Sequence, residues 1–155
     1  MRAAPAKALA PIAVLTLLAA CGPTLYMPPK PDPTKAPEYA EAVDRLAALD
    51  RQAEAAFKAG RTQEAASDIT QGQPYQSFLL SAPRPTLPAM EAASDLDDIY
   101  ARMMLAGHRD GWARMFYQKN AARWRTWKPE SPESAARLRQ AEAGLAECDR
   151  RLKQQ

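Results

Sequence analysis

The chain is poor in the residues that usually announce chemistry. His108 is its only histidine, which excludes a histidine-based metal cluster, and its two cysteines, Cys21 and Cys148, lie too far apart in sequence to form a zinc-spaced pair. No serine sits in a GxSxG turn and no glycine-rich phosphate loop occurs. "SDLDD" gathers Asp95, Asp97 and Asp98 but lacks the glycine and terminal glutamate of a calcium loop, so these acids read as a solvated helix face. "HRD" at 108 to 110 stands without the glycine-rich loop or the length that a kinase requires. No apolar run reaches the ~20 residues of a membrane span, and no long alternating β-branched run is present. No cofactor, no metal and no catalytic set is therefore expected.

What is present begins at the front end. Arg2 and Lys7 form a positive region, and Ala8 to Ala20 form an apolar core of secretory-signal length. That core ends in Leu18, Ala19, Ala20 and Cys21, and these four residues resemble the lipobox of bacterial lipoproteins. The resemblance implies removal of residues 1–20, a diacylglycerol on the Cys21 sulfur and usually a further acyl chain on the new amino terminus. Several acyl chains anchor stably, since each buried CH₂ contributes ~0.8 kcal/mol. Gly22, where an aspartate would favour the inner membrane, implies the periplasmic face of the outer membrane in a cell with two membranes. A lipidated Cys21 has no free sulfur, which leaves Cys148 unpaired within the chain.

Loss of Arg2 and Lys7 lowers the formal charge of +3 to +1, which argues against nucleic acid as a partner. Residues 21–37 carry the anchor and "GPTLYMPPKPDPTKAP", whose prolines favour an extended, semi-rigid stalk over helix or sheet. Tyr26 and Met27 within it could instead dock on the domain or sit among lipid headgroups.

From residue 38 to 155 the composition is that of a helical domain. A first helix is expected over Glu38–Ala59, with Tyr39, Val43, Leu46, Ala53 and Phe57 on or near one face and Gly60 at its end. A second runs from an N-cap at Thr62 to about Thr70, where "QGQP" interrupts it. Pro74 then starts a short helical turn, and "SAPRPTLP" forms a loop. Further helices are expected over Ala89–Ala106, closing on Gly107, and over Asp110–Trp127. A last one opens at Ser131 with Pro132 and Glu133 in its first turn, and its stripe of Leu138, Ala141, Leu145, Cys148 and Leu152 should face another helix. The fold class is all-α, a bundle or hairpin array of four to six helices.

Residues 49–69 align without gaps on residues 96–116: Leu49 and Asp50 match Leu96 and Asp97, Ala59 and Gly60 match Ala106 and Gly107, and Ala66 matches Ala113. The first copy resembles a tetratricopeptide hairpin through Gly60, Ala65 and Ile69. The second departs from it at Trp112 and Lys119, and the copies lie 47 residues apart where about 34 is usual.

The densest chemistry lies in "GWARMFYQKNAARWRTWKP", which holds all three tryptophans. At 100° per residue, Trp112, Phe116, Trp127, Trp124 and Tyr117 fall at about 0°, 40°, 60°, 120° and 140°, which reads as one broad aromatic core stripe. If that arc exceeds what neighbouring helices cover, Trp124, Trp127, Arg123, Arg125 and Lys128 would form a ledge for an envelope protein, peptidoglycan or anionic lipid. Residues 101–128 hold seven basic side chains against Asp110 alone, whereas residues 38–98 hold eleven acids and five bases. The two halves either pair internally or present a dipolar surface. Together these features imply a membrane-anchored, non-catalytic protein-binding or envelope-assembly module. The alternatives are a structural lipoprotein that binds peptidoglycan or lipid and, further off, an envelope hydrolase that would need His108 buried beside a serine or carboxylate.

Overall fold

A computed structural model describes residues 31–154, so the signal segment, Cys21 and the stalk up to residue 30, with Tyr26 and Met27, lie outside the described residues. The described chain is helical, with no strand among its residues. A 3-10 turn, Pro33–Lys35, leads into five helices: α1 Pro37–Lys58, α2 Thr62–Leu80, α3 Leu87–Ala106, α4 Asp110–Thr126 and α5 Pro132–Leu152. Within the proline-rich stretch Pro33–Lys35 thus depart from the expected extended stalk, while Asp32 and Ala36 on either side keep extended backbone. Asp32 caps the turn by accepting from the Thr34 amide at 3.0 Å and its hydroxyl at 2.7 Å, and Pro37 opens α1, where its missing N–H costs nothing.

Helix α2 overturns the expected break at "QGQP", since it continues through Gly72 and Pro74 to Leu80. Tertiary contact outweighs local propensity here. A Cβ on Gly72 would stand 3.0 Å from Leu96 Cδ1 and 3.1 Å from Leu46 Cδ1, so the glycine lets α2 approach α1 and α3 closely. Beyond the proline, the buried Gln76 side chain donates to the Ala93 carbonyl at 2.8 Å, and the fully buried Leu79 offers its carbonyl to the Tyr39 hydroxyl at 3.1 Å.

Both short interhelix turns close with paired backbone bonds of Schellman type. Gly60 and Arg61 donate to Phe57 and Ala56, while His108 and Arg109 donate to Leu105 and Met104. The residue in the left-handed region is Gly60 in the first turn, but His108, at φ 55°, in the second. The expected glycine at 107 is therefore one residue early. Thr62 is the first helical residue after Arg61 and not an N-cap, and Asp110 likewise opens α4 after Arg109. The last helix opens as expected: Ser131 and Ser134 satisfy one another in a capping box with Pro132 between them.

Packing divides into two cores that share α3. Leu46, Ala53, Ile69, Leu79, Ala93, Leu96 and Ile99 belong to the α1–α2–α3 core, and Ala101, Ala113, Tyr117 and Cys148 to the α3–α4–α5 core. In α5 the buried line is Ser134, Ala141 and Cys148, spaced seven apart, while Leu152 at the end of the expected stripe is exposed. Cys148 is a free thiol whose ionisation burial pushes up, so it behaves as a small apolar residue.

Helix α4 meets α5 where the Tyr117 ring lies against Gly144. A Cβ there would fall 2.5 Å from two ring carbons. Burial also raises the Tyr117 hydroxyl to about 12, so it stays a neutral phenol. Gly144→Ala is expected to cost about 1–3 kcal/mol through overpacking, read as a lower denaturation midpoint. An unchanged midpoint would show that the α4–α5 contact is not tight.

Candidate functional site

Helix α4 distributes the aromatic stretch differently from the broad face expected. Its buried arc runs from about 80° to 180° on the same scale, through Asn120, Ala113, Trp124, Tyr117 and Ala121. Trp112 at the origin is 61 % exposed, and Met115, one turn on, is 45 % exposed. Trp127 is the C-cap, with extended backbone, and so leaves the helical register altogether. Its ring stands edge-on to Trp124 at 6.2 Å, and Arg137 of α5 lies over Trp124 at 5.7 Å.

The expected ledge is correspondingly reduced. Trp124 is buried, and Arg123, its side chain only 8 % exposed, turns inward to Asp97 at 3.0 Å. Arg123 also donates to Ser94 Oγ at 3.0 Å and Asn120 Oδ1 at 2.6 Å, while Asn120 donates to the Ser94 carbonyl at 2.9 Å. Lys119 adds a second cation to Asp97 at 3.1 Å. Of the five residues, Trp127, Arg125 and Lys128 remain at the surface around a cleft of about 190 Å³, where Arg125 pairs with Glu142 at 2.8 Å.

The "SDLDD" acids are not a solvated face. Asp97 is buried between α3 and α4; Asp95 is paired with Arg137 of α5; and Asp98 is paired with Arg102 at 2.9 Å, which also reaches Glu54 of α1. Burial holds the Asp98 carboxyl above its ordinary value despite Arg102, whereas the Arg102 hydrogen bond holds Glu54 below its own. The basic residues of 101–128 are therefore largely matched by acids on neighbouring helices, the internal pairing that the segregated charge allowed.

One acid in this region has no such match. Asp50 lies on the buried stripe of α1 between Leu46 and Ala53, is 5 % exposed, and neither carboxylate oxygen has a hydrogen-bond partner. Burial foremost, then the nearby charges of Asp95 and Asp97, raise its carboxyl to about 8, while Arg51 and Arg137 oppose the shift. Asp50 lines a cleft of about 290 Å³ with Arg51, Glu54, Asp95, Asp98, Ile99, Arg102 and Gln140. Nothing in the sequence marked it: Leu46, Leu49 and Ala53 carry the apolar stripe of α1 without a gap, and Asp50 lies beside Leu49. Among the described residues no three His, Cys, Asp or Glu side chains are placed to hold a metal ion. His108 is exposed in the α3–α4 turn, away from the buried setting a hydrolase would need.

Asp97→Ala is expected to cost about 3–5 kcal/mol, because it leaves the Arg123 guanidinium buried without its charge partner. A double variant, Asp97→Leu with Arg123→Met, should lose less than that single variant in chemical denaturation; additive losses would show the two side chains to be uncoupled. For Asp50 the folded value lies above the ~3.9 of an unfolded aspartate, so its contribution to stability is full below about pH 4 and is lost as pH rises through about 8. The denaturation midpoint should fall across that window, and Asp50→Asn should flatten the fall; an equal slope in both proteins would place the titration elsewhere. No family model, no curated protein and no solved structure matches this chain, so its site stands on its own geometry.

Proposed function

We propose that the chain is a lipid-anchored envelope lipoprotein whose helical domain works as a non-catalytic protein-binding or assembly module on the periplasmic face of the outer membrane. The anchor rests on Leu18–Ala19–Ala20–Cys21 after a short apolar core and on the proline-rich stretch that follows. Among the described residues no helix is long and apolar enough to cross a membrane, so attachment through acylated Cys21 supplies the membrane contact in this reading.

The observation that carries the binding role is the pair Trp112 and Met115, one turn apart and exposed on the outer side of α4. Tryptophan and methionine are residue types enriched where proteins meet, and exposed tryptophan anchors the centre of many interfaces. Peptidoglycan or anionic lipid is the second reading, through Trp127, Arg125 and Lys128 at the surface cleft. It is the weaker of the two, because Trp124 and Arg123 are withdrawn into the fold.

Cys21→Ser should abolish lipid labelling and leave residues 1–20 attached; a labelled variant would remove the anchor. Crosslinking of the full chain in envelopes, with and without Trp112→Ala and Met115→Ala, tests the second half. Loss of a defined protein adduct in the double variant is expected. Unchanged adducts, or sedimentation with purified cell wall in their place, would overturn the protein-binding role.

A further inference from the structure

The internal repeat identifies what Asp50 lacks. Asp50 and Asp97 occupy equivalent positions 47 residues apart, and both are buried, at 5 % and 3 % exposed. Asp97 receives Arg123 from the second helix of its own hairpin. The residue equivalent to Arg123, 47 positions earlier, is Gln76, whose amide is committed to the Ala93 carbonyl. The fold therefore buries two matching carboxylates and supplies an internal cation to one.

The surroundings of Asp50 suit a visiting cation. Two guanidinium clamps flank it: Arg102 ties α1 to α3 through Glu54 and Asp98, and Arg137 ties α3 to α5 through Asp95. Both clamps are already committed to carboxylates. Arg51 on α1, Asp95 and Asp97 on α3, and Arg137 on α5 are the charges that act on the Asp50 carboxyl, and Glu54 of α1 with Asp98 and Arg102 of α3 also line the cleft. Four acids in this set stand against three guanidiniums. Gln140 adds a neutral polar group at the rim, and Ile99 gives an apolar wall for an aliphatic stem. The cleft volume of about 290 Å³ is at the small end for a ligand site, the size of a short amine or one side chain.

We propose that the cleft between α1, α3 and α5 binds an alkylammonium group, carried by a small diamine or by a lysine side chain, with the Asp50 carboxylate as its counter-ion. The ammonium donates to Asp50, its stem lies along Ile99, and Gln140 accepts at the mouth. A compact metal ion is a poorer fit, since no three acidic, histidine or cysteine side chains converge among the described residues. The proposal is independent of whether Cys21 is acylated.

Because the free site holds Asp50 protonated below about pH 8, binding must displace that proton. The affinity should therefore rise as pH increases through that value, the direction opposite to the effect on stability.

Titration calorimetry of the purified full chain with putrescine tests this. Binding is expected with release of a proton near neutral pH, read from the dependence of the heat on buffer ionisation. Affinity should be tighter at about pH 9 than at about pH 6. Asp50→Asn, which keeps the side-chain shape, should weaken binding about tenfold or more, the effect of losing a charge-assisted contact. Gln140→Leu, at an exposed rim position, should weaken it less and guards against a folding defect in the first variant. An N-acetyl-lysine amide arm separates the sources: equal binding points to a lysine of a partner, and preference for putrescine to a free diamine. Butanol binding as well as putrescine, equal affinity in Asp50→Asn, or no binding at about pH 9 would each overturn the proposal.

Discussion

The buried contact between Asp97 of α3 and Arg123 of α4 is the constraint around which the domain is arranged. An ion pair of this kind has to recover the hydration that both charges lose, and it does so only if the remaining donors and acceptors are met. Here Ser94 and Asn120 meet the guanidinium, and Lys119 meets the second carboxylate oxygen. That set fixes the register of α4 on α3 to a single turn, because a slip of one residue along either helix would strand a charge. An alanine-rich interface, with few large knobs to interlock, would not discriminate registers so sharply.

The same turn of α3 explains how five helices hold together around modest cores. With 100° between residues, "SDLDD" sends Ser94 and Asp97 toward α4, Asp95 toward α5, Leu96 toward Gly72 of α2, and Asp98 toward Arg102, which reaches α1. One turn thus addresses every other helix. Of the basic stretch after Tyr100, Arg102, Lys119 and Arg123 meet acids of the first half, whereas Arg114 and Arg125 pair with Asp149 and Glu142 of α5.

Helix positions were legible where periodicity carried them, as in α1, α3 and α5, and where the cap chemistry was local, as at Ser131. Two features were not. Pro74 reads as a break in any local account, and only the packing of Gly72 against Leu46 and Leu96 and the bond from Gln76 to Ala93 explain why α2 runs on. Likewise, three acids in five residues read as solvated, because the partners of Asp95 and Asp97 come from residues 22 to 42 positions away and no local pattern names them; only Asp98 has its partner, Arg102, within one turn. The turn residue His108 was hidden for a smaller reason: a glycine stands next to it, and sequence alone favours the glycine for the left-handed conformation.

Asp50 was not legible in the sequence, since Leu46, Leu49 and Ala53 carry the apolar stripe past it without a gap, and its meaning comes from comparison with Asp97. Both carboxylates are buried, and the fold neutralises Asp97 with Arg123 and Lys119 and Asp50 with a proton. A proton is a weak solution to the problem, since it leaves two buried oxygens without hydrogen-bond partners, whereas an apolar residue at this position would remove the unmet polar group altogether. A position that keeps a carboxyl where stability alone favours a hydrocarbon is one where structure has been traded for the ability to accept something. The charge of that something follows from the acids around it, and its size follows from the cleft.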